Sequence, residues 1–163
     1  MTVNFIKMND KYKQGVINIF NYYIETTTSA YREQTVNDDF FTNFCESSDT
    51  YCSFAVENDE GDLVGFCLLE KYIPLNTFSK AAEIMYFIHP EHTGKGIGTL
   101  ALRRLEIEAK KRNITRLIAD ISLENIKSIK FHKTNGFTEF GKLEHIGEKF
   151  GRTFGIVWME KRI

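Results

Sequence analysis

Apolar residues recur along this chain with two periods, and the change from one to the other marks the predicted elements. In the segment CSFAVE the alternating apolar positions are Cys52, Phe54 and Val56. Such alternation is typical of a β-strand. After the apolar segment AAEIMYFIHP (81–90), the spacing lengthens to that of a helix, at Ile97, Leu100, Ala101, Leu105 and Ala109. The sequence therefore predicts a strand that stops at Pro90, followed by an amphipathic helix.

The same reasoning predicts seven strands and four helices for the whole chain. The predicted strands are 2–8, 52–57, 62–72, 81–90, 115–122, 137–145 and 152–161, and the predicted helices are 10–25, 37–47, 96–111 and 124–136. A polar, glycine-containing turn, NDEGD, predicts a hairpin between the second and third strands. The order β-α-α-β-β-β-α-β-α-β-β indicates a mixed α/β fold in a single domain, residues 1–163.

Composition narrows the classes of function. The 163 residues are 42% hydrophobic and 26% charged, with a formal charge of −1. That balance gives no electrostatic drive toward nucleic acid or an anionic membrane surface, so neither is expected as a partner. No apolar run has membrane-spanning length and the first residues do not resemble a signal peptide, which predicts a cytoplasmic protein. Cys45, Cys52 and Cys67 form no C-x-x-C pair, so free or buried thiols are expected.

The stretch HTGKGIGTLAL (92–102) carries the main chemical signal. Gly94, Gly96 and Gly98 stand where a strand passes into a helix, and the N–H groups of a helix N-terminus suit a phosphate. The spacing G-x-G-x-G fits neither a P-loop, which requires Lys and Ser or Thr after its last glycine, nor a dinucleotide-binding fingerprint. Taken alone, a glycine turn before a helix is as often structural as functional.

Two motifs together carry a resemblance to a known family. FIHPEHTGKGIGTLAL resembles motif A of the GCN5-related N-acetyltransferases, and NIKSIKFHKTNGF resembles their second signature, N-x-x-[SA]-x-x-x-[YH]-x-x-x-G-[FY]. The resemblance implies their fold, a mixed and mostly antiparallel twisted sheet flanked by helices, and acetyl-CoA as the cofactor. It places cofactor contacts at Tyr86, Phe87, Ile88, Thr93, Gly94, Lys95, Gly96, Ile97, Gly98, Thr99, Asn125 and Ser128.

Several of these positions need comment. Thr93 stands where the family usually has Arg or Gln, so backbone N–H groups and Lys95 are expected to carry the phosphate contact. Tyr86, Phe87 and Ile88 are expected to bind pantetheine through their main chain, and an N–H group around Phe87 or Ile88 is expected to stabilise the oxyanion of a tetrahedral intermediate. Their side chains are expected in the core. Asn125 fits a plain helix N-cap equally well.

A narrower resemblance covers about residues 4 to 160. YYIETTTSAYRE and GEKFGRTFGIVWM are similar to segments of the phosphinothricin and methionine sulfoximine/sulfone acetyltransferases, which acetylate amino acid analogues and share a His at the position of His132. The resemblance to this family also implies a homodimer. Basic residues that the family carries before the glutamate strand are replaced here near Ile73 and Leu75, and a Trp and an Asp are replaced by Thr153 and Gly155. Phosphinothricin itself as substrate does not follow.

Acetyl transfer to an amine requires proton transfer, because an alkyl amine with a pKa of roughly 10 is almost wholly ammonium at neutral pH. The resemblance makes Glu83 and His132 the candidate catalytic residues, and leaves the acid and base roles undivided between them. The structural alternatives for Glu83 are a strand-edge carboxylate in solvent or an ion pair with Lys80, and the alternative for His132 is an exposed helix histidine.

The acceptor pocket is expected at Tyr31 and Arg32, where Arg32 serves either a substrate carboxylate or an ordinary ion pair. The sequence thus predicts direct transfer of acetyl to the primary amine of a small amino acid or analogue. The alternatives are a peptide, protein or polyamine acceptor and a coenzyme A-binding sensor without turnover. The four histidines have no ligand spacing, so no metal is expected.

Overall fold

The structure is a computed structural model that describes residues 2–46 and 49–163, without the side chains of residues 43–46. In this part of the chain the strands are β1 (Val3–Lys7), β2 (Thr50–Asn58), β3 (Leu63–Lys71), β4 (Ala81–Ile88), β5 (Arg116–Ser122), β6 (Thr138–Lys149) and β7 (Arg152–Arg162), and the helices are α1 (Lys13–Thr26), α2 (Asp38–Glu46), α3 (Ile97–Lys111) and α4 (Ile126–Thr134). The seven strands form one sheet, in the order β1-β2-β3-β4-β5-β7-β6.

The predicted fold class and element order are confirmed, with small shifts at element ends. The first predicted helix opens with a short 3-10 turn, because the Asn9 side chain accepts a hydrogen bond from the Lys11 N–H at 3.0 Å. The strand predicted at 137–145 continues to Lys149, since after an irregularity between Leu143 and Gly147 it pairs with β7 again up to Lys149. Residue 47 of the second predicted helix lies outside the described residues.

Helices cover both faces of the sheet, and each face has its own apolar core. Alternate residues of β4 point to opposite faces, so Ala82, Ile84 and Ile88 pack in the core that includes α3. Met85 and Phe87 instead contact the core that contains α1. β5 is divided in the same way, with Leu117, Ala119 and Ile121 on the α3 side.

Pairing between β4 and β5 stops partway along the two strands. They are parallel and pair only from Ala81–Arg116 to Glu83–Ile118, although β4 continues to Ile88 and β5 to Ser122. β4 remains paired with β3 to its end, and β5 with β7. The two strands therefore diverge beyond Glu83 and leave an opening in the middle of the sheet, which we call the β4–β5 opening.

Three sequence expectations concern groups outside this opening. Cys52 and Cys67 are free thiols, whereas the side chain of Cys45 lies outside the described part of the chain. Among the described residues, no helix combines the length and the apolar character needed to span a bilayer. The described residues also contain no group of three or more side chains placed to hold a metal ion.

Candidate active site

The glycine loop lies at the end of β4 and begins α3. Gly94 and Gly96 have φ angles of +75° and +83°, a left-handed conformation that favours glycine. A Cβ added at either position would meet no described heavy atom within 4 Å, so the space above the loop is open. No described side chain caps α3. Its first N–H groups are therefore available to an anion, and the predicted pyrophosphate fits this cradle.

The remaining loop residues divide between the cradle and the core. Thr93 and Lys95 are exposed, and the Thr93 hydroxyl donates to the Pro90 carbonyl at 3.0 Å. Ile97 is buried in the α3 core. Gly98 has a helical conformation, and a Cβ there would touch the Phe131 ring at an ordinary 3.5 Å, so its position shows no steric need for glycine. Thr99 lies in the first turn of α3, where its N–H donates to the Gly96 carbonyl.

Backbone groups of β4 line the β4–β5 opening. The His89 N–H donates to Val64 of β3, and N–H groups alternate in direction along a strand. The Phe87 N–H therefore faces β3, whereas those of Tyr86 and Ile88 face the opening. The Ile88 carbonyl accepts a hydrogen bond from the Tyr23 hydroxyl at 2.6 Å. The N–H groups of Tyr86 and Ile88, two residues apart on the unpaired edge of β4, are thus the donors that face the opening.

A pair of carboxyl groups lies on the α1 side of the opening. Glu83 pairs with Ile118, so Asp120, two residues further along β5, shares the face of Glu83. Burial, a hydrogen bond with Asp120 and the negative charge of Asp120 raise the pKa of Glu83 to about 8. Glu83 is half-buried rather than a solvated edge carboxylate. The group is consequently matched to exchanging protons near neutral pH.

Tyr31 extends this cluster from the loop between α1 and α2. Burial, then the charge of Asp120 and a hydrogen bond with it, raise the pKa of Tyr31 above its ordinary value. Its ring stacks on Phe154 of β7, with the ring centroids 5.8 Å apart. Arg32 points elsewhere, since its guanidinium lies over the Phe40 ring at 4.8 Å. The structure therefore brings Tyr31 next to the carboxyl pair, whereas the Arg32 side chain packs against Phe40 of α2.

Lys149 fixes the loop that carries Tyr31. The side chain of this last residue of β6 is 2% exposed, and its Nζ donates to the carbonyls of Thr27 and Ala30 at 2.8 and 2.7 Å. The hydroxyls of Thr28 and Ser122 lie 2.7 Å apart, which ties the loop to the end of β5 as well. These contacts hold Tyr31 against β5 and β7.

His132 lies on the opposite face, in α4, and is buried with 3% exposure. Its Nδ1 lies 2.8 Å from the Ser128 carbonyl and 3.3 Å from the Ser128 hydroxyl, while Nε2 lies 2.5 Å from the Tyr86 hydroxyl. Because a carbonyl only accepts, Nδ1 carries the proton and Nε2 accepts the hydrogen bond from Tyr86. Burial lowers the pKa of His132 to about 4, so the ring is neutral at pH 7.

Asn125 and Ser128 shape the start of α4. The Asn125 side chain caps the helix by accepting from the Ser128 N–H at 3.0 Å, and it donates to the Ser29 hydroxyl at 2.9 Å. The capping role, one of the two expected for Asn125, is thus confirmed. Ser128 positions the ring of His132 through its carbonyl.

The sequence left the acid and base roles undivided between Glu83 and His132, and the structure places the two side chains on opposite faces of the sheet. Sequence reasoning missed one contact of each residue. Asp120 is a polar residue inside the apolar run LIADIS, a visible signal, but its pairing with Glu83 depends on the register of two distant strands. The Tyr86 side chain was expected in the core, whereas its hydroxyl contacts His132.

Comparison with known proteins places this architecture. A family model described as the acetyltransferase (GNAT) family matches residues 16–137. The L-methionine sulfoximine/L-methionine sulfone acetyltransferase of Salmonella typhimurium is 26% identical over all of this chain and 95% of its own. The L-amino acid N-acyltransferase MnaT of Escherichia coli is also 26% identical, over all of this chain and 94% of its own. The solved phosphinothricin acetyltransferase of Sinorhizobium meliloti, in complex with acetyl-CoA, superposes with a TM-score of 0.91 at 19% identity, covering 100% of this chain and 89% of that one.

Proposed function

Since the chain belongs to the acetyltransferase (GNAT) family, we propose that it transfers acetyl from acetyl-CoA to the primary amine of a small amino acid or analogue. That it is an acetyl-CoA-dependent acetyltransferase is the sequence prediction confirmed by the family match. The acceptor class is supported by the methionine sulfoximine and L-amino acid enzymes that are similar over the full chain. The glycine cradle and the unpaired N–H groups of β4 provide a place for the donor.

The position of Glu83 carries the proposed mechanism. Its half-buried carboxyl stands at the last β4–β5 pair, where the opening begins. As carboxylate, Glu83 takes a proton from the incoming ammonium group, and the free amine then attacks the thioester carbonyl. The Ile88 N–H group stabilises the oxyanion of the tetrahedral intermediate, and collapse of this intermediate releases coenzyme A.

The departures from the family on the expected acceptor side support an amino acid without a second acidic group. Leu75, near the place where the resemblance implies basic residues, is 61% exposed in the connection between β3 and β4. Gly155 leaves no space for the expected Asp, because a Cβ would lie 2.6 Å from the Leu143 carbonyl oxygen. Tyr31 contributes an aromatic wall and a hydroxyl.

A polyamine or peptide amine is the second candidate acceptor. Glu83 and Asp120 place two carboxyl groups on the acceptor face, which suits an acceptor with a further positive charge. We propose a homodimer on the basis of the resemblance, and a cytoplasmic location on the basis of the apolar pattern of the sequence.

The function is tested by release of free thiol from acetyl-CoA. The acceptor panel contains phosphinothricin, methionine sulfoximine, methionine sulfone, ordinary amino acids, polyamines and peptides. We expect turnover with amino acids or their analogues, and a loss of at least about 100-fold in kcat for Glu83→Gln with unchanged acetyl-CoA binding. The control is Glu57→Gln, which removes a β2 carboxyl that pairs with Lys11, and this variant is expected to retain activity.

Other results have distinct meanings. Turnover with polyamines or peptides alone would replace the amino acid acceptor and keep the enzyme class. Acetyl-CoA binding with no transfer to any member of the panel would favour the sensor and contradict the proposed function.

A further inference from the structure

We propose that the Tyr86 hydroxyl, held by His132, passes the second amine proton to the departing sulfur of coenzyme A. The proposal rests on the acetyl transfer proposed above and assigns the group that completes it. Glu83 removes the first proton, from the ammonium. A second N–H proton must leave the tetrahedral intermediate, and the leaving thiolate must receive one.

The hydrogen bond between Tyr86 and His132 joins β4 to the helix that follows β5, beside the β4–β5 opening. Tyr86 lies on β4, three residues beyond the last pair with β5, whereas His132 belongs to α4. The two groups approach to 2.5 Å, and their rings are stacked with centroids 5.7 Å apart at an interplanar angle of 16°. A phenol hydroxyl is thereby held on the α3 side of the sheet, at the residue of β4 where the two strands have diverged.

Aromatic rings enclose the pair. The edges of Phe131 and Phe137 pack against His132, with ring centroids 5.3 and 4.9 Å away, and Phe131 also packs edge-on against Tyr86. This apolar surround explains why burial raises the pKa of Tyr86 and lowers that of His132. Both groups are therefore neutral in the resting enzyme, with the phenol proton directed at Nε2.

The resting hydrogen bonds set the direction of a proton relay. Nδ1 of His132 is occupied by the Ser128 carbonyl, so Nε2 is the free base of the ring. As the nitrogen of the intermediate gives its proton to the Tyr86 oxygen, the phenol proton moves to Nε2 and forms an imidazolium. The C–S bond then breaks, sulfur leaves with the electron pair, and the reverse shift delivers a proton from Tyr86 to sulfur.

The balance of this step is closed. One N–H bond is broken, one S–H bond is formed, and Tyr86 and His132 return to their starting states without a proton from solvent. The imidazolium exists only beside the negative charge of the tetrahedral intermediate and then of the departing sulfur, and this charge offsets its burial. Tyr86 is then the catalytic residue, and His132 is a positioning residue that acts through it.

The rival explanation is structural, with the Tyr86–His132 hydrogen bond serving only to hold α4 on the sheet. The two explanations differ in their dependence on the leaving group. Acetyl-seleno-coenzyme A differs from acetyl-CoA by one atom, and a selenol is much more acidic than a thiol. Its selenolate leaves without receiving a proton, so a proton donor at this place matters little for the seleno donor.

The test is Tyr86→Phe, assayed with both donors and with the best acceptor of the panel. We expect kcat with acetyl-CoA to fall by about 100-fold and kcat with acetyl-seleno-coenzyme A to fall by less than about tenfold. The Kd for acetyl-CoA is expected to stay unchanged. Tyr12→Phe, which removes the hydroxyl of another buried tyrosine, is the control and alters neither rate.

Equal losses with both donors, or no loss with either, would overturn the proposal. His132→Gln provides a second test, because it removes the base that accepts the phenol proton. Its kcat is likewise expected to fall more with acetyl-CoA than with acetyl-seleno-coenzyme A. Failure of the proposed function gives a different result from failure of the relay alone. The wild-type protein would then transfer acetyl from neither donor, which would also overturn the relay.

Discussion

Single side chains explain why a carboxyl group can exchange protons near neutral pH in this site. Asp120 is placed next to Glu83 by strand register, and Tyr31 donates its hydroxyl to the same Asp120. Two carboxyl groups in one half-buried place hold a proton more tightly than one, because the second negative charge is unfavourable. Asp120 therefore determines the pH range in which Glu83 becomes a base.

Asp120→Asn is expected to move the pH profile of acetyl transfer. With Asp120 present, Glu83 has a pKa of about 8 and becomes the active carboxylate as the pH rises through that value. Removing the neighbouring charge lowers the pKa of Glu83, so the rising limb of kcat/KM should shift by at least about one pH unit toward acid. The ionisation of the amine is common to both proteins, and the difference between profiles reports Glu83.

Asp62→Asn, in the turn between β2 and β3, is the matched control for that profile and should leave it unchanged. An Asp120→Asn profile that coincides with the wild type would show that Asp120 does not act on the base.

Whole elements explain the donor site. A strand that loses its neighbour and a helix that begins without a cap meet at the glycine loop, so main-chain N–H groups collect on one side of the molecule. Because these donors belong to the backbone, Thr93 can replace the usual Arg or Gln without removing the cradle. The residues on which the shape of the loop depends are those with a backbone conformation that residues other than glycine rarely adopt.

Gly96→Ala is expected to separate stability from cofactor binding. At φ +83° an alanine is strained by about 1 kcal/mol, yet its Cβ meets no described atom. That Cβ lies where the pyrophosphate would approach, so the Kd for acetyl-CoA should rise at least about tenfold, as measured by calorimetry.

Gly61→Ala supplies the control, since Gly61 has φ +85° and equally open surroundings in the β2–β3 turn. It should reduce stability by a similar amount with unchanged acetyl-CoA affinity. Equal acetyl-CoA affinities for Gly96→Ala and Gly61→Ala would show that the glycine loop is not part of the donor site.

The elements were largely predictable because their signals are local. Apolar periodicity, Pro90 and the glycines identified β4, α3 and the loop between them from a few neighbouring residues. The contacts that were missed join residues distant in sequence. Nothing near Asp120 shows that β5 pairs in parallel with β4, and nothing near Lys149 shows that it binds the carbonyls of Thr27 and Ala30. Such contacts follow from strand order and register, which local patterns do not contain.

The stability of the folded molecule should depend on His132 at acid pH. Its pKa is about 4 in the folded protein and about 6.5 when unfolded, so its neutral form favours folding above pH 6.5. This contribution, roughly 3 kcal/mol, is lost as the pH falls from 6.5 through 4. Denaturant unfolding between pH 7 and 4 should therefore show a shallower loss of stability for His132→Gln than for the wild type.

His145→Gln, which removes an exposed histidine of β6, should keep the wild-type slope. A wild-type slope in His132→Gln would contradict the burial of a neutral imidazole.

The strand order has a further consequence, for synthesis of the protein. β5 is joined to β4 by three residue pairs but to β7 by seven, and β7 is the last strand of the chain. While the polypeptide is still emerging from the ribosome, β1 to β4 and the glycine loop are already available. Asp120 is secured beside Glu83 only after residues 156–162 have been translated. The nascent chain can thus form the proposed phosphate cradle early, whereas the proposed acid–base pair is held in place only once β7 has joined the sheet.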